Sequence, residues 1–176
     1  MKKNKRAFSG TPLGTASEAK VSATAAESRS VNLKNILVPI DFSEPSRKAL
    51  EYARQMALGF GASVTLLYVL EPIPYPYDFS ASYPLVADNP ELLKTAGGKL
   101  KELAATLKAG SEPVKSLMRQ GNPAHEICAA AQELGIDLII IATHGYTGLK
   151  HVLLGSTAEK VVRHAPCPVL TVRERA

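Results

Sequence analysis

Leu138 to Thr157 constrains this chain more than any other stretch. It reads LIIIATHGYTGLKHVLLGST. Its first residues, with Asp137 before them, form a continuous apolar run of strand length, rich in β-branched side chains. Such a run fits a strand buried on both faces, as in a parallel sheet. The run stops at Thr143-His144-Gly145, and Gly148 and Gly155 follow. Ser156-Thr157-Ala158-Glu159 then has the pattern of a capping box, with Ser156 predicted to accept from the Glu159 N–H. The order is buried strand, glycine-bearing loop, helix N-terminus.

That order makes an anion site. Glycine lets a ligand approach the backbone, and clustered N–H groups with a helix dipole favour phosphate. The spacing is neither GxGxxG nor GxxxxGK[ST], so neither fingerprint applies.

Three elements together resemble the universal stress protein family. Its Gly-x-x-Gly, nine residues, Gly-Ser/Thr signature appears here as Ala142-Thr-His-Gly145, nine residues, Gly155-Ser156. Asn35-Ile-Leu-Val-Pro-Ile-Asp41-Phe-Ser-Glu44 is similar to its first strand and turn. His164-Ala-Pro-Cys-Pro-Val-Leu-Thr-Val172 is similar to its last strand. The resemblance runs from about Leu33 to the C-terminus. Ala142 departs from the glycine of the signature, and a methyl group there is expected either to crowd a bound sugar or to be absorbed by a small shift.

Charge and composition exclude several classes. The net charge is +5. Up to Ser30, six basic residues (Lys2, Lys3, Lys5, Arg6, Lys20, Arg29) stand against Glu18 and Glu27, so the remainder carries only +1. A folded part so near neutrality does not advertise a nucleic-acid surface. No apolar run approaches the roughly 18 residues that span a membrane, and no apolar segment follows the basic start as in a secretory signal. Cys128 and Cys167 form no metal or CxxC pattern, so reduced thiols in a cytoplasmic protein are expected. No metal site is assigned to protein ligands.

Residues 1–32 are rich in Ala, Ser, Thr and Lys without apolar periodicity, which predicts a disordered basic tail. The folded domain is expected over 33–176. Ile36 to Ile40 reads as the first strand, with Asp41 at its end and Ser43 capping the next helix. Ser63 to Leu70 is the second strand. Glu71 to Pro90 holds five prolines with Tyr75, Tyr77, Phe79 and Tyr83 between them. A loop this long is a flap over a ligand or a packing surface. A helix over Glu91–Lys108, a strand over Val114–Arg119 and a helix opened by Asn122-Pro123 follow. The strand of the opening motif, a helix over Thr157–His164 and a strand over Pro168–Arg173 complete the chain.

Strict alternation of strands and helices predicts an α/β fold, a doubly wound five-stranded parallel sheet with helices on both faces. The resemblance implies the strand order 3-2-1-4-5 and the adenine nucleotide α-hydrolase type of fold. In that order the ends of the first and fourth strands meet at the switch point, where ligands bind. Asp41 can accept from ribose hydroxyls or a base amine there, or serve only the local turn. The resemblance carries over further roles. Pro39 forms a wall, Val69 gives a backbone contact to the base, Ala142 approaches the ribose, and His144, Gly145, Gly155, Ser156 and Thr157 receive the phosphates. It also implies a homodimer through the edge strand Val169–Val172. The expected ligand is ATP, with any Mg²⁺ held mainly by phosphates, in a stress-response module with slow or no hydrolysis. Lys150 and His151 add charge within the loop. The alternatives are a dimeric interaction module of the same fold without nucleotide and, third, an ATP hydrolase or adenylyl transferase using His144.

Overall fold

The computed structural model describes residues 32–71, 90–109, 112–143 and 154–173. The tail expected over 1–32, except Asn32, and the aromatic segment 72–89 lie outside the described residues. So does the stretch holding His144, Gly145, Lys150 and His151.

The described elements are β1 (Asn35–Pro39), α1 (Glu44–Phe60), β2 (Ser63–Leu70), α2 (Pro90–Thr106), β3 (Lys108–Ala109), β4 (Glu112–Pro113), β5 (Lys115–Gln120), α3 (Pro123–Glu133), β6 (Leu138–Ala142), α4 (Ser156–His164) and β7 (Val169–Val172). Five strands form one sheet in the order β5-β2-β1-β6-β7, with every pairing parallel. Numbered within that sheet, the order is the expected 3-2-1-4-5. β3 and β4 pair with each other in an antiparallel hairpin that was not expected. Two-residue strands carry no readable period, and α2 ends at Thr106 rather than Lys108 to make room for them.

Side chains alternate between the two faces of the sheet, and each face has its own core. Ile36, Val38, Val64, Leu66 and Ile140 pack with α1 and α2, while Leu37, Leu67, Ile139 and Ile141 pack with α3 and α4. Burial on both sides explains why the central strands read as unbroken apolar runs. Ala49, Ala53 and Ala57 are fully buried at one-turn spacing on α1. Small residues there let the helix lie close to the sheet. Leu37, Ile139 and Ile140 are also fully buried, and each such side chain contributes about 1.5–3 kcal/mol.

Asp137 secures the edge of the sheet away from the strand tips. Its Oδ2 accepts from the N–H of Lys34 at 2.9 Å and of Asn35 at 2.8 Å. Its own N–H donates to the Asn35 carbonyl at 2.9 Å. The start of β1 is thus tied to the start of β6. Asp137→Ala leaves two strand-entry donors without their acceptor and is expected to cost about 1–3 kcal/mol. Urea unfolding should show a lower midpoint at unchanged slope, with ligand binding at the far edge unaltered. Among the described residues, no helix is long and apolar enough to cross a membrane.

Candidate functional site

β1 and β6 are neighbours, and their following helices pack on opposite faces. A crevice therefore opens at their C-terminal tips. It has a volume of about 330 Å³, within the range of small-ligand sites. The tips of β1 and β2 give one wall, with Pro39, Asp41, Leu67 and Val69. The tip of β6 and the first turn of α4 give the other, with Ile141, Ala142, Thr143, Gly155, Ser156 and Thr157. Pro123 and Ile127 of α3 close one side. Seven of the expected site residues (Pro39, Asp41, Val69, Ala142, Gly155, Ser156 and Thr157) are thus brought together. His144 and Gly145 belong to the undescribed stretch.

The turn after β1 holds Asp41 in place. Phe42 has φ +64°, a left-handed conformation uncommon for a bulky side chain. The Asp41 carboxylate stabilises the turn: its Oδ1 accepts from the Ser43 N–H at 3.0 Å and from the Ser43 hydroxyl. Ser43 in turn caps α1, accepting from the Ser46 N–H at 3.3 Å. The Phe42 ring rests on Tyr68, with centroids 5.0 Å apart. Strain of about 1–3 kcal/mol at such a residue persists only where its surroundings dictate it. Asp41 therefore forms the local turn and also lines the cleft. Ser43→Ala removes a cap and a donor to Asp41. It is expected to cost about 1 kcal/mol of stability and to loosen the carboxylate, measured as a lower melting temperature together with weaker ligand binding.

Three helices reach the cleft with their N-termini, and they differ in one respect. α1 is capped by Ser43, and α3 by Asn122, whose Oδ1 accepts from the His125 N–H at 3.2 Å. α4 has no side-chain cap among the described residues. The box expected between Ser156 and Glu159 does not form, because the N-cap is Gly155, one residue earlier. The Gly155 carbonyl accepts from the Glu159 N–H at 2.9 Å, and the Glu159 carboxylate turns to Arg163 at 2.9 Å. The N–H groups of Ser156, Thr157 and Ala158 are then the orphan donors of the first turn, and all three residues line the cleft. Orphan donors and the dipole together make an anion seat. The Gly155 N–H is not among these donors: it gives its hydrogen to the Thr143 carbonyl at 2.7 Å, closing the base of the loop.

Ala142 lines the cleft and is itself buried. It follows Ile140 on the α1 face, where its side chain belongs to the core cluster with Val38 and Val172. Ile40 and Ser46, on the same side of the sheet, line the cleft as well. Glu71 and Ser46 line the cleft without having been singled out. Period-two counting would have found Glu71, which stands two places beyond Val69 as Asp41 stands two beyond Pro39.

Cys128 and Cys167 are free and half-buried. Burial pushes both thiols up from their ordinary pKa, so both stay protonated and weakly nucleophilic. Among the described residues, no cluster of His, Cys, Asp or Glu suits a metal ion.

This geometry matches that of known proteins. A profile of the universal stress protein family covers residues 32–173. Universal stress protein MJ0531 of Methanocaldococcus jannaschii is 36% identical over 143 residues, spanning 80% of this chain and 82% of that protein. The solved structure of UspA from Lactobacillus plantarum has a TM-score of 0.63 and 32% identity, over 81% of this chain and 99% of that one. For MJ0577 the TM-score is 0.68 at 31% identity, over 82% and 99%. More distant structures of the same fold include a universal stress protein in complex with cAMP (20% identity, TM-score 0.58) and one from Archaeoglobus fulgidus in complex with dAMP (17%, 0.56). With its parallel sheet, its cleft and these matches, the chain belongs to the universal stress protein family.

Proposed function

We propose that the chain is a cytoplasmic, dimeric stress-response module that binds ATP in this cleft, with slow or no hydrolysis. The observation that carries the reading is the uncapped first turn of α4, open to the same cleft as Asp41. The two ends of the cleft differ in charge. Its charged lining among the described residues, Asp41 and Glu71, lies at the tips of β1 and β2. The α4 donors lie across the switch point. A ligand with hydroxyls and an amine at one end and phosphate at the other matches that polarity. Pro39 supplies an apolar wall, and Val69 offers backbone groups to the base. Ser156 and Thr157 add hydroxyls to the phosphate end, which His144 and Gly145 would complete. The cAMP and dAMP complexes support adenosine phosphates only as ligands that this fold accommodates. Any Mg²⁺ would be held mainly by phosphate oxygens. Isothermal titration with ATP, with and without Mg²⁺, should give saturable heat, and none at millimolar nucleotide would overturn the reading.

The dimer is proposed through β7. This strand pairs with β6 on one side and ends the sheet, and Leu170 is 37% exposed. An apolar edge of this kind invites pairing with a second copy. Leu170→Lys should shift the sedimenting species from dimer to monomer, whereas an unchanged dimer would place the interface elsewhere.

A further inference from the structure

Glu71 lines the cleft just beyond the C-terminal end of β2. We propose that Glu71 reads the ligand's base, accepting a hydrogen bond from an exocyclic amine and so favouring adenine over purines that lack one. The inference rests on the nucleotide reading above and adds its specificity.

The argument begins with register. Pro39 pairs with Leu67 across β1 and β2. Continued outward, that register sets Asp41 level with Val69. Glu71 then stands a further two-residue step along β2, about 7 Å beyond, with its side chain on the face that carries Val69 and Asp41. If Asp41 meets the ribose and the Val69 backbone meets the base, Glu71 lies past both, at the base's outer edge.

Its surroundings leave it open. Leu70 pairs with Gln120, so the next neighbour of Glu71 on β5 is Gly121, which presents no side chain. Of the two cations on that strand, Lys115 stands at its far end, and Arg119 is committed to Glu133 and, at 3.5 Å, to Glu126. Glu71 makes no hydrogen bond or ion pair among the described residues. An ionised carboxylate only accepts. Of the groups on a nucleotide, those at the outer edge of an adenine include a donor amine, while phosphate is repelled. Glu71 thus fixes which way round the ligand enters as well as which base it carries.

The test is a four-way comparison by isothermal titration: ATP and purine riboside triphosphate, which lacks the amine, each against wild type and Glu71→Ala. Wild type should favour ATP by about tenfold, the scale of one charge-assisted hydrogen bond at a partly solvated site. Glu71→Ala should bring the ratio close to one. Removing a negative charge also eases phosphate binding, but equally for both ligands, so it cancels in the ratio. Glu71→Gln keeps an acceptor and should retain part of the preference. An ATP preference that survives Glu71→Ala, or no preference in wild type, overturns the inference while leaving the nucleotide reading standing. Failure of both ligands to bind wild type overturns the nucleotide reading, and this inference with it.

Discussion

Gly155→Asp is expected to abolish nucleotide binding while leaving the protein at least as stable as before. Gly155 sits at φ −66° and ψ 152°, extended backbone that any residue adopts, so the substitution introduces no backbone strain. Aspartate is among the best N-cap residues. Its carboxylate would accept from the first-turn N–H groups that wild type leaves open, and its charge would complement the dipole. Cap and dipole together contribute up to about 1 kcal/mol, or a rise of about 2–4 °C in melting temperature for a domain of this size. The same carboxylate occupies the donors intended for phosphate and repels it. At least a hundredfold loss of ATP affinity follows, from the lost charge-assisted bonds and the like charge. Titration calorimetry and thermal melts on one preparation separate the two effects. If glycine served only the shape of the loop, stability and binding would fall together.

Ile140→Ala is expected to have the largest effect on stability. Ile140 is fully buried in the middle of β6, between β1 and β7, and belongs to the α1-side core. Truncation leaves a cavity in a close-packed layer and should cost about 2–5 kcal/mol, a large share of the roughly 5–15 kcal/mol that stabilises a domain. The cleft itself is not touched, so ATP should still bind the folded fraction. At a hundredfold excess over its dissociation constant, ATP adds about 2.7 kcal/mol. Urea unfolding should therefore show ATP raising the midpoint of Ile140→Ala and of wild type alike, but not that of Gly155→Asp.

The elements that could be read from the sequence have unambiguous local physics. β6 is buried on both faces, so it appears as an unbroken apolar run. Ser43 and Asn122 each stand before a proline in the first helical turn, and both caps form. Asp41 could be placed at the cleft because it follows the first strand, whose tip lies at the switch point in the strand order that the family resemblance implies. The start of α4 was harder. Ser156 and Glu159 fit the capping pattern, but two interactions outside it decide the boundary. The Thr143 carbonyl takes the Gly155 N–H, and Arg163 takes the Glu159 carboxylate. The outcome bears on function, since a formed box would occupy the Ser156 N–H, one of the donors that now line the cleft. The left-handed Phe42 was equally hidden, because its conformation follows from the Asp41–Ser43 bonds and the ring contact with Tyr68. The side to which the Ala142 methyl points follows from counting along β6 from Ile140, which motif matching ignores.

The central claim is that the first turn of α4 and the tips of β1 and β2 grip one adenosine phosphate. Amide NMR during an ATP titration tests it directly. The largest shifts are expected at the Ser156, Thr157 and Ala158 N–H groups and around Asp41 and Val69, saturating together, with Asp137 and Leu170 unmoved. Saturable shifts confined to other surfaces, or none at millimolar ATP, would contradict it.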